Sequence, residues 1–329
     1  MPRIVRFHKT GGPEVLQIED IDLQNPGPGE VRLKVAAFGL NRAELLFRQA
    51  LYLERPKLPS RLGYEAAGVV DAVGPDVSEL REGDRVSTVP GFSMRQYGVY
   101  GESCIVPARV AVPYPEPLTP IQGAAIWMPY LTAYGALVDI GKLGPEDTVV
   151  ITAASSSVGL AAIQMAKDLG ATTVATTRGP AKRSVLLEAG ADHVIVTDEE
   201  NVPRRIKAIT DRRGARLIFD AVAGSLVDKL AKGAAPGGII VTYGALSLES
   251  TPFPLGDALA KGLTMRGYTL FEITNDSHRL SAAVRFVADR LQSGVFKPTI
   301  ARTFDLSQIA EAHRYMETNT HVGKIVITV

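Results

Sequence analysis

A strand, a turn of small residues and a helix follow one another between Thr148 and Gly170, and this stretch constrains the fold more than any other. The residues from Thr148 to Thr152 are all β-branched, which predicts a parallel strand buried on both faces. Apolar residues then recur at helical spacing from Leu160 to Leu169, and Gly170 closes the pattern. This order of elements is typical of the phosphate-binding unit of a dinucleotide fold.

The turn itself is made of residues small enough for a pyrophosphate to approach the backbone. Such a group binds the N–H groups at a helix N-terminus, where partial positive charge is concentrated. The usual fingerprint is G-x-G-x-x-G, and the matching frame, from Ala154 to Gly159, keeps only its third glycine. The candidate phosphate-binding residues are Ser155, Ser156, Ser157, Val158 and Gly159. A turn of the same composition without a ligand is the alternative.

Cations follow the second predicted strand, which runs from Thr172 to Thr177. In NAD-specific sites an acidic residue at this distance binds the ribose 2′-hydroxyl, whereas a cation suits a 2′-phosphate. Thr177, Arg178 and Lys182 are therefore candidate cofactor-binding residues, and they indicate NADPH. The alternative is that the two cations are solvated residues of a loop.

Length and composition favour an ordinary globular protein with two domains. The chain has 329 residues, of which 46% are hydrophobic and 22% charged. Its net charge is +1 without a long basic run, so we expect no nucleic-acid partner. Cys104 is the only cysteine, which excludes an internal disulfide and a zinc site built from several thiolates. The five histidines lack the spacing of metal ligands.

The N-terminal segment lacks the apolar core of a signal peptide. No apolar run approaches the roughly eighteen residues that a membrane-spanning helix needs. We therefore expect a cytoplasmic protein without a membrane partner.

Two patterns of elements follow one another along the chain. Up to about residue 120, short β-type runs alternate with turn residues, as in a compact barrel-like domain, and one short helix is expected from Asn41 to about Gln49. The runs include Arg3–Phe7, Leu16–Leu23, Glu30–Leu40, Glu65–Val73 and Ser103–Val106. Strands and helices then alternate, which predicts a doubly wound parallel sheet. Its further strands are Thr172–Thr177, His193–Thr197, Ala215–Ala221, Gly238–Tyr243 and Thr264–Thr269, and a long helix is expected at Ser277–Gln292.

Several short motifs stand together in this sequence. They are GYEAAGVV at 63–70, GDRV at 83–86, LTAYGAL at 131–137, the turn at 153–159 and GKIV at 323–326. With them, the whole chain resembles the medium-chain dehydrogenase/reductase superfamily, in its zinc-free NADPH quinone oxidoreductase (zeta-crystallin-like) branch. The resemblance implies an α/β protein with a GroES-like β-rich catalytic domain at 1–121 and 270–329 and a Rossmann NADPH-binding domain with a doubly wound parallel sheet at 122–269.

The resemblance also bears on metal chemistry. Zinc-containing relatives have a histidine and a cysteine ligand where this chain has Tyr64 and Asn41, and neither residue is a good zinc ligand. We therefore expect no metal. What remains is hydride transfer from NADPH to an acceptor that needs no Lewis acid, such as a quinone or an α,β-unsaturated carbonyl compound.

The resemblance implies that Asn41 and Tyr52 line the pocket over the nicotinamide and act as catalytic residues. The phenol of Tyr52 could donate a proton or a hydrogen bond to the enolate oxygen, unless water supplies the proton. The alternatives are a helix N-cap for Asn41 and a half-buried aromatic residue for Tyr52. Further cofactor-binding candidates are Thr132, Tyr243, Gly244, Ala245, Leu270, Phe271 and Lys324. A surface lysine is the alternative for Lys324, and Glu65 is expected to be structural.

Two other functions stay open at this point. One is an enoyl-thioester reductase of the same superfamily, and the other is a non-catalytic NADPH-binding sensor or structural protein. The resemblance also implies a homodimer formed by edge strands of the Rossmann domains, with the segment near Gly238–Leu246 as the expected contact.

Overall fold

The computed structural model describes residues 1–329, which form two compact units. The first unit contains Met1–Met128, Thr274–Leu280 and Lys297–Val329, and the second contains Pro129–Ile273 and Ser281–Phe296. The sequence predicted domain limits at 121/122 and 269/270. These limits differ from the two units most at residues 281–296, which belong to the second unit. The predicted limits of the two family domains stay a prediction.

Fifteen strands run along the chain. They are β1 Arg3–Phe7, β2 Leu16–Asp20, β3 Glu30–Gly39, β4 Glu65–Val73, β5 Arg85–Thr88, β6 Ser103–Pro107, β7 Ala111–Pro113, β8 Thr148–Ile151, β9 Thr172–Thr177, β10 His193–Val196, β11 Ala215–Asp220, β12 Ala234–Thr242, β13 Thr264–Gly267, β14 Ile300–Asp305 and β15 Lys324–Thr328.

Eleven α-helices accompany them. They are α1 Arg42–Arg48, α2 Pro120–Gly123, α3 Trp127–Tyr134, α4 Ser157–Asp168, α5 Arg183–Glu188, α6 Val202–Ile209, α7 Leu226–Gly233, α8 Leu255–Lys261, α9 Phe271–Thr274, α10 Ser277–Gln292 and α11 Ile309–Glu317. None of them has the length and apolar character that crossing a membrane requires.

The first unit is built on a seven-stranded sheet in which β3 is central. The strand order is β14-β15-β3-β4-β5-β7, and β6 also pairs with β3. Along β3, Val31, Leu33 and Val35 are buried while Lys34 between them is exposed, so one face of the strand packs into the core. A separate antiparallel pair joins β1 to β2.

The second unit is the predicted doubly wound parallel sheet, with the order β10-β9-β8-β11-β12-β13. Its core takes a buried aliphatic residue from each of five strands, namely Val150, Val174, Ile195, Ile218 and Ile240. The chain reverses direction across the sheet between β8 and β11. Sheets of this kind bind their ligands at that switch point, beyond the carboxyl ends of the strands. The mixed α/β fold class predicted from the sequence is confirmed.

The expected dimer contact at Gly238–Leu246 is wrong as an edge-strand contact. Most of that segment belongs to β12, which has β11 hydrogen-bonded on one side and β13 on the other. Its backbone groups are therefore already paired within the sheet. The edges of this sheet are β10 and β13.

Candidate active site

The turn between β8 and α4 is tight, and it places Ser156 at the helix N-cap. The Ser156 hydroxyl accepts a hydrogen bond from the Gly159 N–H at 3.0 Å, as an N-cap residue does. A Cβ at Gly159 would lie 2.5 Å from the carbonyl oxygen of Ala154, so only glycine fits. The first N–H groups of a helix have no carbonyl partner within it, so those of Ser157 and Val158 can donate to a phosphate.

The cations that follow β9 lie beside this turn. Lys182 Nζ donates to the Ser155 hydroxyl at 3.1 Å. Burial lowers the pKa of Lys182, and the nearby charge of Arg178 lowers it further. Arg183, one residue along, is bound instead to Glu200 at 2.8 Å. Arg178 and Lys182 therefore place two positive charges beside the turn, and their contact with a 2′-phosphate stays a prediction.

The other predicted residues at this edge of the sheet have different surroundings. Tyr243, at the end of β12, stacks on Phe219 with ring centroids 4.0 Å apart. Burial is the main cause of its raised pKa, an effect that the nearby Ser156 side chain partly offsets. Thr177 donates from its hydroxyl to the Gly179 carbonyl at 3.3 Å. Gly244 and Ala245 follow Tyr243 directly, Thr132 is buried in α3, Leu270 is buried, and Phe271 begins α9. The cofactor roles of these residues stay predictions.

A buried polar pair at the switch point was not predicted from the sequence. The Thr152 hydroxyl donates to Asp220 Oδ1 at 2.7 Å and accepts from the Ala221 N–H at 2.8 Å. The Asp220 carboxylate also accepts the N–H groups of Val222 and Ala223 at 3.0 Å. Burial raises the pKa of Asp220. The pair joins the loops after β8 and β11, and its signal in the sequence is a polar residue at the end of each apolar run.

In the first unit, Asn41 stands at the centre of a buried polar cluster. It is the N-cap of α1, as the alternative interpretation held, and is 9% exposed. Its backbone N–H donates to Glu44 Oε2 at 2.6 Å, and its Nδ2 donates to Glu44 Oε1 at 3.1 Å. Its Oδ1 accepts a hydrogen bond from Lys324 Nζ at 2.5 Å. The backbone N–H, the Nδ2 and the Oδ1 of Asn41 thus each have a partner within the unit.

Lys324 is not a surface residue, so that alternative is wrong. It is 2% exposed and forms an ion pair with Glu65, whose other oxygen accepts the Met128 N–H at 2.8 Å. A Cβ at Gly39 would lie 2.5 Å from Lys324 Cε, so this glycine makes room for the lysine stem. Both oxygens of Glu65 are therefore engaged within the unit, and its structural role stays a prediction. Contact of Lys324 with a cofactor stays a prediction.

Glu44 completes the cluster and was not singled out from the sequence. It is fully buried, and its Oε1 also accepts the Tyr64 N–H at 3.1 Å. Burial raises the pKa of Glu44 to about 7, although the charge of Lys324 opposes this shift. Its signal in the sequence is the N-x-x-E spacing of Asn41 and Glu44, which is that of a capping box.

Tyr52 lies beside this cluster, in contact with Tyr64. The two rings are 6.4 Å apart, and Phe92 packs on the other side of Tyr64 at 5.5 Å. Burial raises the pKa of Tyr52 to about 12, and interaction with the Tyr64 hydroxyl partly offsets that rise. The phenol of Tyr52 therefore carries its proton at neutral pH and can donate it.

No group of three or more His, Cys, Asp or Glu side chains is placed to hold a metal ion. Cys104 is buried, and burial raises the pKa of its thiol to about 12, so it lacks the character of a metal-binding thiolate. Tyr64 and Asn41, which the resemblance places at zinc-ligand positions, have the partners described above, and the expected absence of a metal stays a prediction.

Comparison with known proteins agrees with this architecture. Residues 27–116 match the alcohol dehydrogenase GroES-like domain, and residues 157–289 match the zinc-binding dehydrogenase family. Quinone oxidoreductases of Pseudomonas aeruginosa and Homo sapiens are 32% and 33% identical to the chain; each alignment covers 99% of it, and 99% and 97% of the two relatives. The crystal structure of Escherichia coli quinone oxidoreductase complexed with NADPH superposes with a TM-score of 0.92 at 30% identity, covering 99% of this chain and all of that one. The chain belongs to the medium-chain dehydrogenase/reductase superfamily, in its zeta-crystallin-like quinone oxidoreductase branch.

Proposed function

We propose that this protein is an NADPH-dependent, metal-independent reductase that transfers hydride to quinones or α,β-unsaturated carbonyl compounds. The observation that carries the proposal is the position of Arg178 and Lys182 beside the small-residue turn at Ser155. A relative of known structure binds NADPH, which supports the same choice of cofactor.

The second unit offers the phosphate groups of the nucleotide partners of suitable chemistry. The N–H groups of Ser157 and Val158, at the N-terminus of α4, suit the pyrophosphate. Arg178 and Lys182 suit the 2′-phosphate, because a guanidinium and an ammonium group bind phosphate oxygens through charged hydrogen bonds. Gly159 keeps the backbone open to that approach.

When bound, NADPH supplies the hydride. Asn41 and Tyr52 would then stabilise the oxygen that gains negative charge. The Nδ2 group of Asn41 and the phenol of Tyr52 are hydrogen-bond donors, and the raised pKa of Tyr52 keeps its proton in place. Transfer of the Tyr52 proton to the enolate left by hydride transfer completes the reduction of an enone, and water then returns a proton to the phenolate.

The test is a steady-state assay of NADPH oxidation with 1,4-benzoquinone, an alkenone and crotonyl-CoA, each with and without a chelator. We expect turnover of the quinone or the alkenone, and no loss of rate with the chelator. Turnover of the thioester alone would replace the proposal by an enoyl-thioester reductase. NADPH binding without oxidation by any acceptor would favour a sensor or structural protein, and stoichiometric zinc in elemental analysis would contradict metal independence.

We also propose a homodimer that forms through the β13 edge of the second unit. Five large apolar side chains are exposed in the segment that precedes this edge, namely Leu246, Leu248, Phe253, Leu255 and Leu259. Exposed apolar surface of this kind is typical of a protein interface. Light scattering should give a dimer for the wild type and a monomer for Leu248→Glu together with Leu259→Glu. A wild-type monomer would reject this proposal. The cytoplasmic location stays a prediction.

A further inference from the structure

The carboxamide of Asn41 has two possible orientations, and the choice decides what it offers to a ligand. Exchanging its oxygen and nitrogen would turn a donor into an acceptor with little change of shape. Lys324 removes this freedom, because an ammonium group has only donors, and both oxygens of Glu44 already accept backbone N–H groups. The oxygen must therefore face Lys324, at 2.5 Å, and the nitrogen must face Glu44, at 3.1 Å.

Further contacts fix Lys324 and Glu44. Lys324 is held by the buried carboxylate of Glu65, which in turn binds the Met128 N–H at 2.8 Å. Glu44 is held by the N–H groups of Asn41 and Tyr64, at 2.6 and 3.1 Å. The cluster thus connects α1, β15 and the start of β4, and each of its carboxylates accepts a hydrogen bond from the backbone.

One donor of Asn41 is left over in this arrangement. An amide nitrogen carries two hydrogens, and Glu44 takes one of them. We propose that Lys324, Glu65 and Glu44 are positioning residues, which hold the Asn41 carboxamide so that its second Nδ2 hydrogen is presented to the oxygen of a bound ligand. The identity of that oxygen as the one that gains charge during reduction rests on the proposed function.

The first experiment observes the carboxamide itself and needs no activity. The chain has five asparagines, so protein labelled with 15N-asparagine gives five pairs of side-chain signals, and Asn41→Ala identifies the pair of Asn41. We expect these hydrogens to exchange with water at least about tenfold faster in Lys324→Met, because the amide loses a hydrogen bond that fixes it. Lys34→Met, an exposed lysine on β3, is the control and should change nothing.

The second experiment is a double-mutant cycle on the reaction with NADPH and 1,4-benzoquinone. Lys324→Met should lower kcat/KM on the order of tenfold in the wild type and leave it unchanged in Asn41→Ala, since the lysine acts through the asparagine. A residue needed only for folding would lower the rate in both backgrounds. If the single variant does not fold, Lys324→Met with Glu65→Gln removes both buried charges and serves in the same cycle.

The outcomes separate this inference from the proposed function. Unchanged exchange of the Asn41 hydrogens in Lys324→Met, or an equal loss of rate in both backgrounds, would overturn the positioning role. A wild type that turns over no quinone or enone would overturn the proposed function, while the exchange measurement would still decide how Asn41 is held.

Discussion

Lys182 Nζ donates to the hydroxyl of Ser155 at 3.1 Å. This hydrogen bond joins a cation that follows β9 to the turn that follows β8. The two residues are 27 positions apart, and the parallel sheet brings them together because β8 and β9 are neighbours. This relationship brings two separate sequence patterns together, at the place where we propose that a phosphorylated dinucleotide binds.

The first prediction concerns the choice of cofactor. Arg178→Ala should weaken NADPH binding by about 1–3 kcal/mol, the loss of a charged hydrogen bond, and leave NADH binding little changed. Binding of each nucleotide can be followed by its fluorescence. Arg183→Ala is the control. It removes the same charge from the same region, but Arg183 is bound to Glu200 and has no part in the proposed phosphate site. Equal losses for NADPH and NADH would reject the 2′-phosphate assignment.

The second prediction concerns the tight turn. Gly159→Ala would place a Cβ within 2.5–2.7 Å of three backbone atoms of Ala154, so the turn must open. We expect a loss of about 1–3 kcal/mol in the free energy of unfolding, measured in urea, together with weaker NADPH binding. Gly256→Ala is the control, because nothing lies within 4 Å of the added atom. A Gly159→Ala protein as stable as the wild type would show that the turn tolerates a side chain.

The third prediction concerns the pH dependence of stability. His313 is fully buried, and burial together with the nearby charge of Arg48 lowers its pKa to about 3. The unfolded chain binds this proton below about pH 6.5, whereas the folded chain does not, so stability falls as the pH drops from about 6.5 towards 3.

His313 should lower the free energy of unfolding by about 1.4 kcal/mol for each pH unit below 6.5, which is about 2 kcal/mol at pH 5. In His313→Gln the loss of unfolding free energy between pH 7.5 and pH 5 should be smaller by roughly this amount. His278→Gln, at an exposed position, should keep the pH dependence of the wild type. If His313→Gln does so too, the buried histidine does not govern acid sensitivity.

The fourth prediction concerns the source of the proton. Tyr52→Phe should lower kcat with an enone on the order of 10²-fold and leave KM nearly unchanged, because only proton donation is removed. Tyr97→Phe is the matched control, since the Tyr97 hydroxyl donates to Glu30 and has no part in the proposed site. Full activity of Tyr52→Phe would mean that water supplies the proton.

The regular elements could be predicted from the sequence because their signals are local. Periodicity and flanking residues gave the limits of β9, at Thr172–Thr177, and of α10, at Ser277–Gln292, as the structure has them. The short helix expected from Asn41 to about Gln49 instead runs from Arg42 to Arg48, with Asn41 as its N-cap. Helix ends are set by the hydrogen bonds of single residues, which a periodic pattern does not resolve.

The buried polar cluster could not be predicted in the same way. Lys324 and Glu65 are 259 residues apart, so nothing local to either residue reveals that each neutralises the other. An isolated lysine in a sequence is normally an exposed residue, and it is buried only when a partner is present. The predicted dimer contact was wrong for a related reason. Only the strand order shows that β12 lies inside the sheet, and the strand order is not a local property of the sequence.

The central claim is that the second unit binds NADPH between the turn at Ser156 and the cation Arg178. A crystal structure of the protein grown with saturating NADPH tests it most directly. The pyrophosphate should lie at the N-terminus of α4, and the 2′-phosphate should contact Arg178 and Lys182. A nucleotide bound elsewhere, or a 2′-phosphate that contacts neither cation, would contradict the account.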